Sequence, residues 1–168
     1  MKKLFISLSI LFMAASLAAQ DATLTKAERI SYLDKKIKAI VGQPEPFCSS
    51  CTGRKMRSAS VKEVDGLIEI FFSYDLRDDY IYSETYRFNP KYLRDVDIHS
   101  GTQTVRSINI FIPNESGMKT TSDYESFWKT KNVRFLFLDN DPENGKRIKK
   151  ALLHLKDLYN AEADPFDN

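Results

Sequence analysis

KMRSASVKEVDGLIEIFFSYDLRDDYIYSETYRF, residues 55–88, decides the fold of this chain. Its periodicity is two. Residues 55–64 read as a strand, and Asp65-Gly66 as a tight hairpin turn, whose geometry needs positive φ at both positions. In residues 67–74, Ile68, Ile70, Phe72 and Tyr74 share one face, and apolar residues also occupy the other. Residues 75–79 form a polar turn. In residues 80–88, Tyr80, Tyr82, Tyr86 and Phe88 alternate with Ser83, Thr85 and Arg87, which makes a third strand with an aromatic face. Asn89-Pro90 ends it.

Downstream, Val96 and Ile98 mark a short strand before the turn at Ser100-Gly101, and Ile108, Ile110 and Ile112 mark another that Pro113 stops. Residues 114–117 read as a loop. Residues 122–129 fit one or two helical turns around Phe127 and Trp128, and residues 133–138 a last apolar strand. Asp141 then offers a cap, with Pro142 at the first helical position. Ile148, Ala151, Leu152, Leu155, Leu158 and Tyr159 form one wide apolar stripe, with Leu153 on the opposite, charged face. The tail from Ala163 is expected to fray.

Upstream lies a helix over residues 26–41. Thr25 and Glu28 have the spacing of a capping box, and Ile30, Leu33, Ile37 and Ile40 recur on one face. Gly42 tolerates a left-handed C-cap and Pro44 blocks continuation. Residues 43–52 form a loop that holds two prolines and both cysteines. At the N-terminus, Met1-Lys2-Lys3 precedes an uncharged, mostly apolar run to Leu17 and a small-residue exit at Ala18-Ala19. That is the pattern of a bacterial-type secretory signal peptide, shorter than the ~20 residues that span a bilayer. Export to the periplasm or the medium is expected, with no stable membrane insertion once the signal is removed.

The fold class that follows is α+β: an antiparallel β-meander of about six or seven strands rolled into a half-barrel or barrel, with an N-terminal helix and a C-terminal amphipathic capping helix. The expected division is a signal over residues 1–19, the helix and cysteine loop over 20–55, the roll with its closing helix over 56–162, and a tail over 163–168. Between Met56 and Tyr159, a meander of short strands closed by one amphipathic helix resembles the pleckstrin-homology-like β-roll. The resemblance implies a binding scaffold more often than an enzyme. Lipocalin-like and cystatin-like folds are the alternatives.

Charge narrows the partners. The chain has 25 Lys and Arg against 23 Asp and Glu, and Lys2 and Lys3 belong to the signal, so the mature chain is balanced. Nucleic acid needs a positive excess to neutralise phosphates and is excluded. Nothing draws the chain to an anionic membrane.

Cys48-Ser49-Ser50-Cys51 is the most chemical feature. Haem attachment would need histidine where Thr52 stands, and zinc would need two more ligands, for which only His99 and His154 remain besides acids. Outside the cytoplasm, two cysteines this close oxidise to each other. Redox chemistry is the other reading of the pair. Asp95, Asp97 and His99 alternate along one short strand and are the weak metal candidate; the plainer reading is a solvated face behind Val96 and Ile98. Residues 139–145 lack the sixth-position glycine of a calcium loop and read as helix capping. The acids Asp75, Asp78, Asp79 and Glu84 read as belonging to a hairpin turn. His99-Ser100-Gly101 has no glycine before its serine and is no hydrolase elbow. His154 is expected on the polar flank of the last helix, in solvent.

Tyr80, Tyr82, Tyr86 and Phe88 are the candidate ligand-binding row; the plainer reading makes them the inner face of the sheet. No catalytic constellation and no cofactor motif is present. The sequence thus reads as an exported, non-catalytic binding domain for a protein partner or a small apolar ligand. The alternative is a thiol–disulfide protein working through Cys48 and Cys51.

Overall fold

Thr25 opens the first helix by satisfying backbone groups that a helix end leaves unpaired. Its Oγ1 accepts the Glu28 N–H at 3.3 Å, while Glu28 Oε2 accepts the Thr25 N–H at 2.8 Å, the reciprocal capping box. The computed structural model describes residues 24–44, 55–75, 80–99, 104–123 and 126–162. The expected signal segment, the cysteine pair and the expected tail lie outside them. Helix α1 spans Lys26–Lys38, one turn short of the expected 26–41. Gly42 adopts φ +84°, and its N–H donates to Met56 O at 2.8 Å. That bond and the bridge of Pro44 to Lys55 draw the chain off the helix axis and into the first strand.

Strands β1 (Lys55–Val64), β2 (Leu67–Asp75) and β3 (Ile81–Phe88) form the expected meander. Asp65 and Gly66 have φ of 53° and 74°, as the tight turn requires. β4 (Asp95–Ile98) and β5 (Val105–Phe111) make a second hairpin. β6 (Gly117–Thr121) then returns to pair with β3, and β7 (Trp128–Thr130) pairs with β6. β8 (Asn132–Leu138) pairs with β5. The result is an antiparallel α+β half-barrel of two sheets, ordered β1-β2-β3-β6-β7 and β4-β5-β8.

Residues 117–121 and 128–130 are therefore strands, where the sequence suggested a loop over 114–117, nothing for 118–121, and one or two helical turns over 122–129. Pairing overrides local preference there: Lys119 lies opposite Trp128, and the Arg87 guanidinium sits 4.7 Å from the centre of the Phe127 ring. The two sheets join at a corner that β5–β6 and β7–β8 cross side by side. Ile112 N–H donates to Lys131 O at 2.8 Å across it. Gly117 makes this approach feasible, since a Cβ there would stand 2.9 Å from Thr130 O.

Helix α2 (Asn144–Ala161) packs on β4 and on the 3₁₀ turn Pro90–Tyr92, while α1 packs on β1, β8 and α2. The helix begins later than the expected Asp141 cap with Pro142 at its first position: Glu143 is the N-cap and makes no side-chain capping bond, while Asp141 Oδ1 accepts the Glu143 N–H at 2.9 Å in the turn ahead of it. Ile148, Ala151, Leu152, Leu155 and Tyr159 are buried as the stripe foretells. Leu153, expected on the exposed face, is half-buried against the core. A Cβ on Gly145 would meet Phe137 Cζ at 3.2 Å, so glycine lets the start of α2 lie close on the sheet. Phe72, Phe88, Phe135 and Phe137 fill the centre. Full burial of each such side chain is worth about 1.5–3 kcal/mol. No helix among the described residues is long and apolar enough to cross a membrane.

Candidate binding site where the sheets meet

On β3, period two places Tyr82, Glu84, Tyr86 and Phe88 on one face. Phe72 pairs with Glu84 and Tyr74 with Tyr82, and this aromatic face is continuous: Phe72 and Tyr86 rings lie 5.9 Å apart, Tyr74 and Tyr82 6.1 Å. Phe88 is 1% exposed and Tyr86 3%, so these two are inner-face residues. Tyr82 is half-buried and Tyr80 is 49% exposed, with its hydroxyl donating to Asp123.

An acid interrupts the row. Glu84 is 7% exposed, where an unpaired carboxylate would be strongly disfavoured. Three donors hold it. Tyr86 Oη donates to Oε2 at 2.9 Å, Tyr82 Oη to Oε1 at 3.2 Å, and Lys119 Nζ to Oε1 at 3.0 Å. Lys119 comes from β6, directly opposite Tyr86. Its ammonium also lies 5.1 Å from the Tyr86 ring centre and 5.9 Å from that of Trp128, within cation–π range. Burial pushes the Tyr82 hydroxyl up to about 12, and the Glu84 charge adds to it. Burial also raises Tyr86; Glu84 adds, and the nearby Arg134 charge opposes. Both phenols therefore stay protonated donors at neutral pH.

Beside Tyr86 the surface opens into a cleft of about 190 Å³, lined by Asn109, Phe111, Asn132, Val133 and Arg134. Asp97, Asn109 and Arg134 lie in one cross-strand row of the second sheet. A further cleft of about 410 Å³ shares Phe111 and Asn132 with the first and is bounded by Arg94, Ile112, Pro113, Asn114 and Lys131. The sheet corner thus carries a polar concavity of hydrogen-bond donors around one phenylalanine ring.

Other expected features stand elsewhere. Cys48 and Cys51 lie outside the described residues; the base of their loop is closed by Met56 N–H donating to Gln43 O at 2.8 Å. Asp95, Asp97 and His99 are exposed. Among the described residues, no group of three His, Cys, Asp or Glu side chains could hold a metal ion. Of the acids read as one turn, Asp75 pairs with Arg57 at 3.1 Å, while Glu84 is the buried carboxylate on β3. His154 is not in open solvent as expected: it is half-buried, and Nδ1 accepts from Arg29 Nε at 3.0 Å. Glu84 itself is legible in sequence as an acid at an inward position of an aromatic row. Lys119 is not, since Gly117–Thr121 lacks apolar alternation.

Comparison with protein-family models, with curated protein sequences and with solved structures found no match.

Proposed function

We propose that this chain is an exported, non-catalytic binding domain that takes a small ligand in the concavity at the sheet corner. The single observation that carries the proposal is the Glu84 assembly: a buried carboxylate, two phenols and an ammonium held rigidly beside an open cleft. Rigid strands carrying preset polar groups are what a recognition site needs. The resemblance to the pleckstrin-homology-like roll, a scaffold used for binding, points the same way. Because Phe72, Phe88, Phe135 and Phe137 fill the centre, the corner rather than the interior of the roll supports the reading, and its lining suits a ligand with polar groups.

The basic head and apolar run of residues 1–19 support export. Native mass spectrometry of the mature protein, purified gently from its export compartment, tests the reading. An added mass that disappears on denaturation, and that Tyr86→Phe or Lys119→Gln diminishes, is the expected result. Trp128, the chain's one tryptophan, stands beside Lys119 and gives an independent fluorescence readout. A bare mass, together with Trp128 emission unmoved by a small-molecule extract of the compartment, would overturn the proposal in favour of a protein partner.

A further inference from the structure

We infer that the ligand of the corner concavity is a neutral saccharide, held by the side-chain amides of Asn109, Asn114 and Asn132 against the ring of Phe111. The inference rests on the reading of the concavity as a binding site and specifies its chemistry.

Charge at the corner is balanced from within. Lys119 is paired with Glu84 at 3.0 Å and Lys131 with Glu115 at 3.6 Å, and Arg134 has its own partner in the fold. Arg94, on the rim of the larger cleft, is exposed, where salt and water screen its field. Cations so engaged or screened give the concavity no strong preference for charged ligands of either sign.

The amides are in a different position. Asn109 and Asn132 line the smaller cleft, and Asn114 and Asn132 the larger. Among the described residues, none of these three side chains takes part in a hydrogen bond. A carboxamide presents one acceptor oxygen and two donor hydrogens, and each sugar hydroxyl both donates and accepts. Neighbouring hydroxyls therefore match a set of amides without any formal charge.

The backbone fixes where these amides stand. Asn109 lies within β5, between Asp97 and Arg134 of the flanking strands. Asn132 opens β8 opposite Phe111, and Thr130 Oγ1 holds its backbone by accepting its N–H at 3.2 Å and donating to its carbonyl at 2.9 Å. Asn114 has φ 56°, a left-handed conformation that asparagine adopts more readily than most residues. The next residue, Glu115, is the one that meets the Lys131 charge. One turn thus lends an amide to the cleft and neutralises the cation beside it.

Phe111, half-buried and shared by both clefts, supplies the apolar element. The C–H face of a sugar ring is weakly positive and packs on the negative face of an aromatic ring. Trp128, 39% exposed, adds a second ring at the margin, on the side of Lys119 and Tyr86. The larger cleft, about 410 Å³, lies within the ~300–1,000 Å³ of small-molecule sites.

The test is NMR of the isotope-labelled mature protein, in which side-chain NH₂ signals report the asparagines directly. Maltotriose, cellotriose and chitotriose are titrated in separate arms, with citrate and neutral N-acetylglycinamide as controls. Saturable shifts of the Asn109, Asn114 and Asn132 NH₂ signals are expected with at least one trisaccharide and with neither control. Asn114→Gly/Asn132→Ala, both at exposed positions, should keep the spectrum of the fold and weaken that trisaccharide roughly tenfold or more. Asn109→Ser supplies an independent variant. Shifts with a control and with no trisaccharide would overturn the saccharide while leaving the concavity as a binding site. Trisaccharide shifts that both variants leave unchanged would also overturn it. Silence in all five arms would remove the saccharide, while a native mass that Tyr86→Phe or Lys119→Gln diminishes would still keep the corner as a site.

Discussion

Glu84 and Lys119 lie diagonally across adjacent strands, Lys119 opposite Tyr86 and Glu84 opposite Thr121, with their charged atoms 3.0 Å apart on the face of the sheet that elsewhere buries aromatic rings. A carboxylate in such a setting needs its partner. Removing one member of a buried pair leaves an uncompensated charge and costs about 3–5 kcal/mol; Lys119 keeps partial exposure, so about 2–3 kcal/mol is expected for Lys119→Met. Adding Glu84→Gln should restore much of that loss. Urea unfolding of the two single variants and the double variant measures the coupling. Additive losses would mean that the two side chains do not act as a pair.

At the corner, Gly117→Ala should destabilise by about 1–3 kcal/mol, because the new methyl would press on Thr130 O at 2.9 Å and on Ile112 Cδ1 at 3.3 Å. The clash is with backbone on one side and a buried core side chain on the other, and neither yields easily. An unchanged melting temperature would show that the corner opens freely.

Alkaline pH should unfold the protein, and the sign is fixed by the raised groups. Tyr82, Tyr86 and Tyr159 are raised above 10.0, each chiefly by burial. Lys26 is raised above 10.5, chiefly by its hydrogen bond to Glu162. Groups raised in the folded state stabilise fully below their unfolded values, and that stability is lost as pH rises through the folded ones. The loss should begin near pH 10 and, for Tyr82, continue to about 12. Tyr82→Phe should shallow the decline in urea midpoint over this range. A decline of equal slope in the variant would remove Tyr82 from the account.

Arg29 and His154 tie the two helices together. Arg29 is 5% exposed, and its Nε–H has His154 Nδ1 as acceptor at 3.0 Å. Hydrogen bonds to charged groups contribute about 1.5–3 kcal/mol, so His154→Phe should lower stability by roughly that amount. His154→Gln, which keeps an acceptor, should recover part. Chemical denaturation of the two variants makes the comparison, and equal losses would show that the acceptor is immaterial.

Cys48→Ser/Cys51→Ser should leave ligand binding intact and lower stability only near the bottom of the ~0–5 kcal/mol range, because the ring that the proposed Cys48–Cys51 disulfide would close is small and removes little unfolded-chain entropy. The loop base is held independently by the Pro44–Lys55 bridge. Loss of ligand binding in this variant would favour the thiol–disulfide alternative.

Much of the architecture is legible along the chain because it is written in local periodicity. Alternation over residues 55–88 specifies three strands, Asp65-Gly66 their first turn, and Thr25 with Glu28 the start of α1. The apolar stripe of α2 foretells which face is buried, since each residue's position on a helix follows from its number alone.

What only the tertiary structure decided is how the strands divide and what they bring together. Gly117–Thr121 and Trp128–Thr130 are strands because β3 and the sheet corner supply hydrogen-bond partners, not because of any preference of their own. His154 leaves open solvent because Arg29 of α1, 125 residues earlier, bonds to it. Glu84 meets Lys119 through register between strands distant in sequence. A side chain's own sequence neighbourhood sets which way it points; which charge waits there depends on pairings that only the folded chain makes.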